Sequence, residues 1–246
     1  MRLLVVSAHS DDYIYGTVGA LMTHREDERR LIVLAPSQAE ATRVVVAELG
    51  IEATLLDAPY RNISQSRDEL LPRLTELISD FRPDYVLAPT IAGDWSPDHQ
   101  LTGQLALEAC IAGGVFGSWN ARFLRYPIPA TTTRFEPNFW LEVDPSLLEL
   151  KGRLARRMTA GAEDIWPAGV VDWEIKSGHR FAHEVGWPTT HVEGFDALYA
   201  VPFQRFPPRD DSLESLAETH RAKFRQLMAG DDLSANVVGP SRSNAP

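Results

Sequence analysis

The chain has 246 residues, 44% of them hydrophobic, and a formal net charge of -10 at pH 7. That length allows one large domain with a full core. An acidic balance with no basic block excludes a phosphate-backbone footprint, and no run approaches the ~20 apolar residues of a membrane span, so neither nucleic acid nor membrane is an expected partner.

Met1 and Arg2 lead straight into the apolar run Leu3 to Ser7, with no signal-type apolar segment or small-residue cleavage site, so the expected location is cytoplasmic. The run is uniformly apolar and β-branched at its centre, as a strand covered on both faces by helices must be. After the acidic stretch Ala8-His9-Ser10-Asp11-Asp12, a first helix is expected over Gly16 to Thr23. Gly16 and Gly19 do not form a dinucleotide fingerprint, because the G-x-G-x-x-G order is missing. Leu31 to Pro36 reads as a second buried strand closed by proline, and Ala39 to Leu49 as a helix stopped at Gly50. A third strand is expected over Ala53 to Asp57. Asp68 to Phe81 places Leu70, Leu71, Leu74, Leu77 and Ile78 at helical spacing, and Pro83 closes that helix before the strand Tyr85 to Pro89.

Beyond Pro97, a helix is expected over Gln100 to Cys110, broken by Gly113 and Gly114. Cys110 is the only cysteine, which excludes an internal disulfide and any cysteine-based zinc site. Strands are expected at Phe123 to Tyr126 and Phe139 to Val143. Asp144 and Pro145 mark a helix start that runs through Lys151 to Arg157. Residues 161 to 188 are loop-rich and carry Trp166, Trp173, Trp187, His179 and His183, a mixture that suits a pocket wall and equally the plain packing of tryptophans. Leu213 to Met228 reads as a last helix. The polar tail 230 to 246 has too little apolar content to fold alone, so a single domain is expected over 1 to 229. Arginine far outnumbers lysine, which occurs only at Lys151, Lys176 and Lys223, a hint of a bacterial origin. The alternation of strand and helix is the sequence form of an α/β, Rossmann-like, doubly wound and mostly parallel sheet.

Two motifs follow strands in this order. His9 and Asp12 lie three apart after the first, and Asp94-Trp95-Ser96-Pro97-Asp98-His99 follows the fourth. The carboxyl ends of parallel strands share one edge of the sheet, so the two motifs can converge there. His9, Asp12 and His99 then offer three ligands of type N, O, N. Three protein ligands leave a fourth position open for water, the pattern of a catalytic zinc, with another divalent cation as the alternative. Asp11, beside a ligand, is the candidate general base. Asp98 is counted with Asp11 among the catalytic candidates, as a group that orients an imidazole or supports the loop. Asp94 is read equally as a loop organiser or a functional residue.

Ala8-His9-Ser10-Asp11-Asp12-Tyr13 resembles the A-H-P-D-D-E signature of the LmbE/PIG-L superfamily of zinc-dependent N-deacetylases, and Asp94 to His99 resembles its D-x-H-P-D-H signature. Further resemblance lies at Arg82-Pro83-Asp84, at Arg134 to Asn138, and at Val192-Glu193-Gly194-Phe195, which is similar to the family's A-E-A-F. The resemblance implies His9, Asp12 and His99 as metal ligands and Asp11 as the base and acid in hydrolysis of an acetamide on an amino-sugar conjugate. Ser10, Tyr13 and Ser96 depart from the family's proline, glutamate and histidine. The histidine is held to stabilise the tetrahedral intermediate, and His179, Arg180 and His183 are candidate substitutes. Asp94, Ser96, His179, Arg180, His183 and Glu193 are the candidate substrate-binding residues. The alternative is a non-catalytic sugar- or metal-binding protein of the same fold, and assembly as a homo-oligomer is left open.

Overall fold

The computed structural model describes residues 1–115, 121–128, 131–144, 146–159 and 191–197. Strand β1 (Arg2–Ser7) lies inside a seven-stranded sheet with β2 (Glu28–Val33), β3 (Glu52–Leu55), β4 (Tyr85–Pro89), β5 (Arg122–Tyr126), β6 (Phe139–Val143) and β7 (His191–Ala197). The order is β3-β2-β1-β4-β5-β7-β6. The first five strands are parallel, with Val5 opposite Leu31 on one side and Leu87 on the other. β7 runs antiparallel to both β5 and β6. The sheet is therefore mostly parallel and wound in both directions from β1, as the strand and helix pattern predicts.

Period-two alternation divides the core. Leu4, Val6 and Ala8 join a buried cluster with Leu70, Leu74 and Ile78 of α3 (Arg67–Phe81) and Leu105, Ala106, Ala109 and Cys110 of α4 (Pro97–Ala112). Leu3 and Val5, equally buried, point to the opposite face. There α1 (Asp12–Thr23) packs against α5 (Ser146–Thr159), which also meets α2 (Ala39–Leu49). Burial on both faces explains why the central strands read as continuous apolar runs.

Helix ends follow local chemistry. α2 stops at Gly50, whose φ of 63° is the left-handed cap that a Cβ disfavours. α3 stops at Arg82, also left-handed at φ 51°, just before Pro83. Asp144 accepts the N–H of Ser146 at 2.8 Å and starts α5. Other boundaries correct the expectation. α1 begins at Asp12 and α4 at Pro97, so the carboxylates and His99 stand on first helical turns and not in free loops. β2 begins at Glu28 and ends at Val33, and β3 ends at Leu55. Residues 191–197, recognised only as a motif, form a strand.

The two glycines of α1 admit close neighbours. A Cβ on Gly16 would fall 2.1 Å from the Tyr126 ring, whose hydroxyl donates to the Val6 carbonyl at 3.0 Å. A Cβ on Gly19 would fall 2.5 Å from the Glu193 carboxyl carbon. Glu193 accepts the N–H groups of Gly19 and Ala20 at 2.8 and 3.0 Å, and the ammonium of buried Lys151 at 3.1 Å. The expected last helix, the tail and the boundary at 229 lie outside the described residues. Among the described residues no helix is long and apolar enough to cross a membrane.

Candidate metal centre

The fold sets β1 beside β4, and the turns after these two strands meet. His9 leaves the end of β1, and its backbone N–H donates to Asp12 Oδ2 at 2.8 Å. That bond folds the Asp12 carboxylate back under the imidazole as α1 starts. Ser10 Oγ accepts the N–H of Gln38 at 3.0 Å and ties this turn to the one after β2, a bond that the family's proline could not make. On the other side, Ser96 stands at the N-cap of α4, and its N–H donates to Asp94 Oδ1 at 2.8 Å. His99 follows on the first turn, aimed at the end of β1.

Each imidazole is gripped by the nitrogen farther from the centre. His9 Nε2 lies 2.9 Å from Asp98 Oδ2, whose other oxygen accepts the N–H of Ile63 at 3.1 Å. His99 Nδ1 lies 3.0 Å from Thr131 Oγ1 and 3.3 Å from Asp94 Oδ2. Asp94 Oδ2 also accepts the hydroxyls of Thr131 and Thr132, at 2.8 and 3.0 Å. These carboxylates call for ring protons on the outer nitrogens, which leaves lone pairs on the inner ones.

The inner atoms converge. His99 Nε2 is 3.2 Å from His9 Nδ1 and 3.4 Å from Asp12 Oδ1, and His9 Nδ1 is 3.5 Å from Asp12 Oδ2. One ligand atom from each residue lies within 4.8 Å of the others, and all three residues are buried. Neighbouring ligand atoms of a tetrahedral site with bonds of ~2.0–2.2 Å stand roughly 3.3–3.6 Å apart, so the donor set fits a small divalent cation. Two ring nitrogens at 3.2 Å cannot both carry protons. Either one proton is shared between them or both lone pairs serve a cation.

Electrostatics agree with that crowding. Burial depresses the His99 imidazole, but the charge and hydrogen bonds of Asp12 and Asp94 outweigh it and raise the ring to about 10. At His9, burial is likewise outweighed by Asp12 and Asp98, and the ring is raised. Asp12 is driven the other way: burial would raise it, but the two imidazoles hold it well below the carboxylate range. Asp11 is pushed up to about 6, by burial first and by the charge of Asp12 second. It occupies the N-cap position of α1 but makes no capping bond with its side chain, so the carboxyl is not consumed by the helix end.

The remaining expected site residues fall as follows. Asp98 serves His9, the imidazole of the other motif, and not its neighbour His99. Asp94 organises the turn through four protein donors. Ser96 caps α4 through its backbone. Glu193 is engaged with α1 and Lys151, inside the fold. Tyr13 is fully buried, and its hydroxyl has no hydrogen-bond partner among the described residues. His179, Arg180 and His183 lie outside the described residues. Sequence reasoning missed Thr131 and Thr132, which lie in the featureless run Ala130 to Thr133. It also missed Tyr60, whose ring meets His9 edge-on at 4.9 Å.

A family model described as PIG-L, GlcNAc-PI de-N-acetylase, matches residues 34–110. The likeness is to the PIG-L family. The PIG-L match includes Asp94, Asp98 and His99 but begins after His9 and Asp12, so the structure supplies the first half of the cluster. Solved structures with this PIG-L-like fold include N,N'-diacetylchitobiose deacetylase from Pyrococcus horikoshii, 19% identical, with TM-score 0.65 over 80% of this chain and 83% of that one. A 4-carboxy-2-hydroxymuconate hydratase from Pseudomonas putida KT2440 is 19% identical, with TM-score 0.66 over 84% and 99%. The zinc-inhibited form of a teicoplanin deacetylase is 14% identical, with TM-score 0.58 over 79% and 97%. No curated protein matches the chain.

Proposed function

We propose that the chain is a zinc-dependent amide hydrolase that removes an acyl group, acetyl foremost, from an amino-sugar-containing small molecule. The observation that carries this reading is the pair of imidazoles held from outside by Asp98 and Asp94, with their inner nitrogens and the Asp12 carboxylate turned toward one point. His9, Asp12 and His99 hold the ion, and its three protein ligands are the number typical of catalytic zinc. When bound, the ion supplies Lewis-acid chemistry, polarising an amide carbonyl and acidifying water.

Asp11 does the proton work. In the metal-free protein burial and the Asp12 charge push its carboxyl up to about 6, toward the range of a group that accepts a proton and returns it. It takes one proton from water as the oxygen attacks the carbonyl carbon. It then delivers that proton to nitrogen as the carbon–nitrogen bond breaks, leaving a carboxylic acid and an amine, and transfer of the acid's proton to the amine gives carboxylate and ammonium. Asp98 and Asp94 keep both rings oriented through the cycle. His179, Arg180 and His183 are proposed to stabilise the tetrahedral oxyanion in place of the family histidine that Ser96 replaces. Alanine at each should lower kcat, and three unchanged turnover numbers would remove that part.

The deciding experiment loads the chelator-treated protein with zinc or other divalent cations and measures amine release from N-acetylglucosaminides. Asp11→Asn should retain the metal and lose about 10²–10⁴-fold in kcat. Bound zinc with no amide cleaved across a broad panel would overturn the reading.

A further inference from the structure

The two imidazoles of the centre are not held alike. His9 Nε2 meets the Asp98 carboxylate directly at 2.9 Å. The acceptor nearest His99 Nδ1 is instead a hydroxyl, Thr131 Oγ1 at 3.0 Å, and Asp94 Oδ2 stands farther off at 3.3 Å. Thr131 lies 32 residues along the chain from His99, so tertiary folding alone makes this contact.

A hydroxyl has one proton to give, and its place decides what the ring can do. Thr131 Oγ1 is 2.8 Å from Asp94 Oδ2 and 3.4 Å from the Ile128 carbonyl, so the shorter contact, to the charged acceptor, takes the proton. Thr131 then has only lone pairs left for His99 and must accept from Nδ1–H. With Nδ1 protonated, Nε2 keeps its lone pair for the point it shares with His9 Nδ1 and Asp12 Oδ1. Thr132 is oriented the same way. Its Oγ1 accepts the Ile128 N–H at 2.9 Å, which directs its own proton to Asp94 at 3.0 Å.

The main chain fixes the Thr131 hydroxyl in place. The Thr133 N–H donates to the Gly93 carbonyl at 2.7 Å and the Trp95 N–H to the Thr131 carbonyl at 3.1 Å, while Asp94 pairs with Thr132 between them. Gly93, at φ 80°, admits the approach, since a Cβ there would fall 2.1 Å from the Arg134 carbonyl oxygen. Thr131 is buried, which strengthens a hydrogen bond made there.

We propose that Thr131 is the positioning residue of His99: one hydroxyl, polarised by Asp94, fixes the ring with Nδ1 protonated and Nε2 free for a cation. This rests on the metal reading of His9, Asp12 and His99, and not on amide cleavage. Without the hydroxyl, the Nδ1–H is left with Asp94 at 3.3 Å, a longer and weaker contact.

The test is NMR of protein carrying isotope-labelled histidine, with and without zinc, together with competition titration of zinc against a coloured chelator. With zinc, His99 should show Nδ1 protonated and Nε2 as the bound nitrogen, and His9 the reverse. Thr131→Val, of the same size and branching, should speed exchange of the His99 Nδ1–H with water about tenfold. It should also weaken zinc about 10–100-fold, while the His9 Nε2–H stays as it was. Thr131→Ser keeps the hydroxyl and should restore both. Thr133→Val removes a hydroxyl of the same segment that bonds the Gly93 carbonyl at 2.9 Å, and should change neither. If Thr131→Val does not fold, Thr131→Ala takes its place with the same expected losses. His99 bound through Nδ1, unchanged exchange and affinity in Thr131→Val, or equal losses in Thr131→Val and Thr133→Val overturn the role. No zinc uptake by the unmodified chain removes the metal reading and the role with it, even where the Thr131 contact persists in metal-free protein. Zinc uptake with the expected losses but no amide cleaved removes the hydrolase reading and keeps Thr131 in its role.

Discussion

Asp98 reaches His9 across 89 residues of sequence, and through that contact each motif completes the other. Replacing it by asparagine keeps a hydrogen-bond acceptor but removes the charge that makes the ring a better ligand. Asp98→Asn should cost about 10–100-fold in metal affinity or in kcat/KM. Competition titration with a coloured chelator measures the first directly, and an unchanged constant would contradict the orienting role. The raised imidazoles also set a pH dependence. In the metal-free chain His99 keeps its proton up to about 10, and that proton must leave when a cation enters. Apparent affinity should therefore climb with pH between 6.5 and 10, approaching about tenfold per unit for each proton released. Without metal the sign reverses. The proton on His99 stabilises the fold fully below its ordinary value of 6.5 and ceases to do so as pH rises through about 10, so chelator-treated protein should melt lower in alkaline buffer. The residue types of this centre could be read from the chain because histidine and aspartate next to strand ends have few other uses. The partners of Asp94 could not, since Thr131 and Thr132 look like any polar turn until the segment folds back beside it.

At the level of elements, α1 is the piece on which most of the site depends. It starts at Asp12, is crossed by the Tyr126 ring at Gly16, and is held by Glu193 at Gly19 and Ala20. Gly16→Ala drives a methyl into that ring and should destabilise by about 1–3 kcal/mol, read from urea unfolding. Glu193→Gln removes the carboxylate charge that faces the buried Lys151 ammonium at 3.1 Å and should cost about 3–5 kcal/mol, with metal content per folded chain preserved. A loss of metal without a loss of stability would instead place Glu193 in the site. Strands and helices with strong periodicity were legible from the chain. Starts were less so: Asp12 and Pro97 carry no apolar periodicity and declare their helices only through the first-turn geometry. β7 was missed because Gly194 and Glu193 dilute its pattern, and its pairing with both β5 and β6 is a tertiary matter.

The molecule as a whole joins the end of β1 to the start of α4, neighbours in space that lie far apart along the chain. A cation bound by His9, Asp12 and His99 bridges them and stabilises the native state alone. At a free concentration of 100 times Kd this is worth about 2.7 kcal/mol, which for a chain of 246 residues raises Tm by roughly 5–10 °C. Chelator should reverse the rise and added zinc should restore it; a Tm indifferent to both would count against a metal centre.

The distance in sequence between these ligands has a bearing on synthesis. His9 and Asp12 emerge from the ribosome well ahead of His99, and at cellular elongation rates the wait is on the order of ten seconds. During that interval the nascent chain can offer no complete cage to any ion. Capture waits until β4 and the first turn of α4 have taken their places, so a loaded centre certifies that β1 and β4 have already been brought side by side.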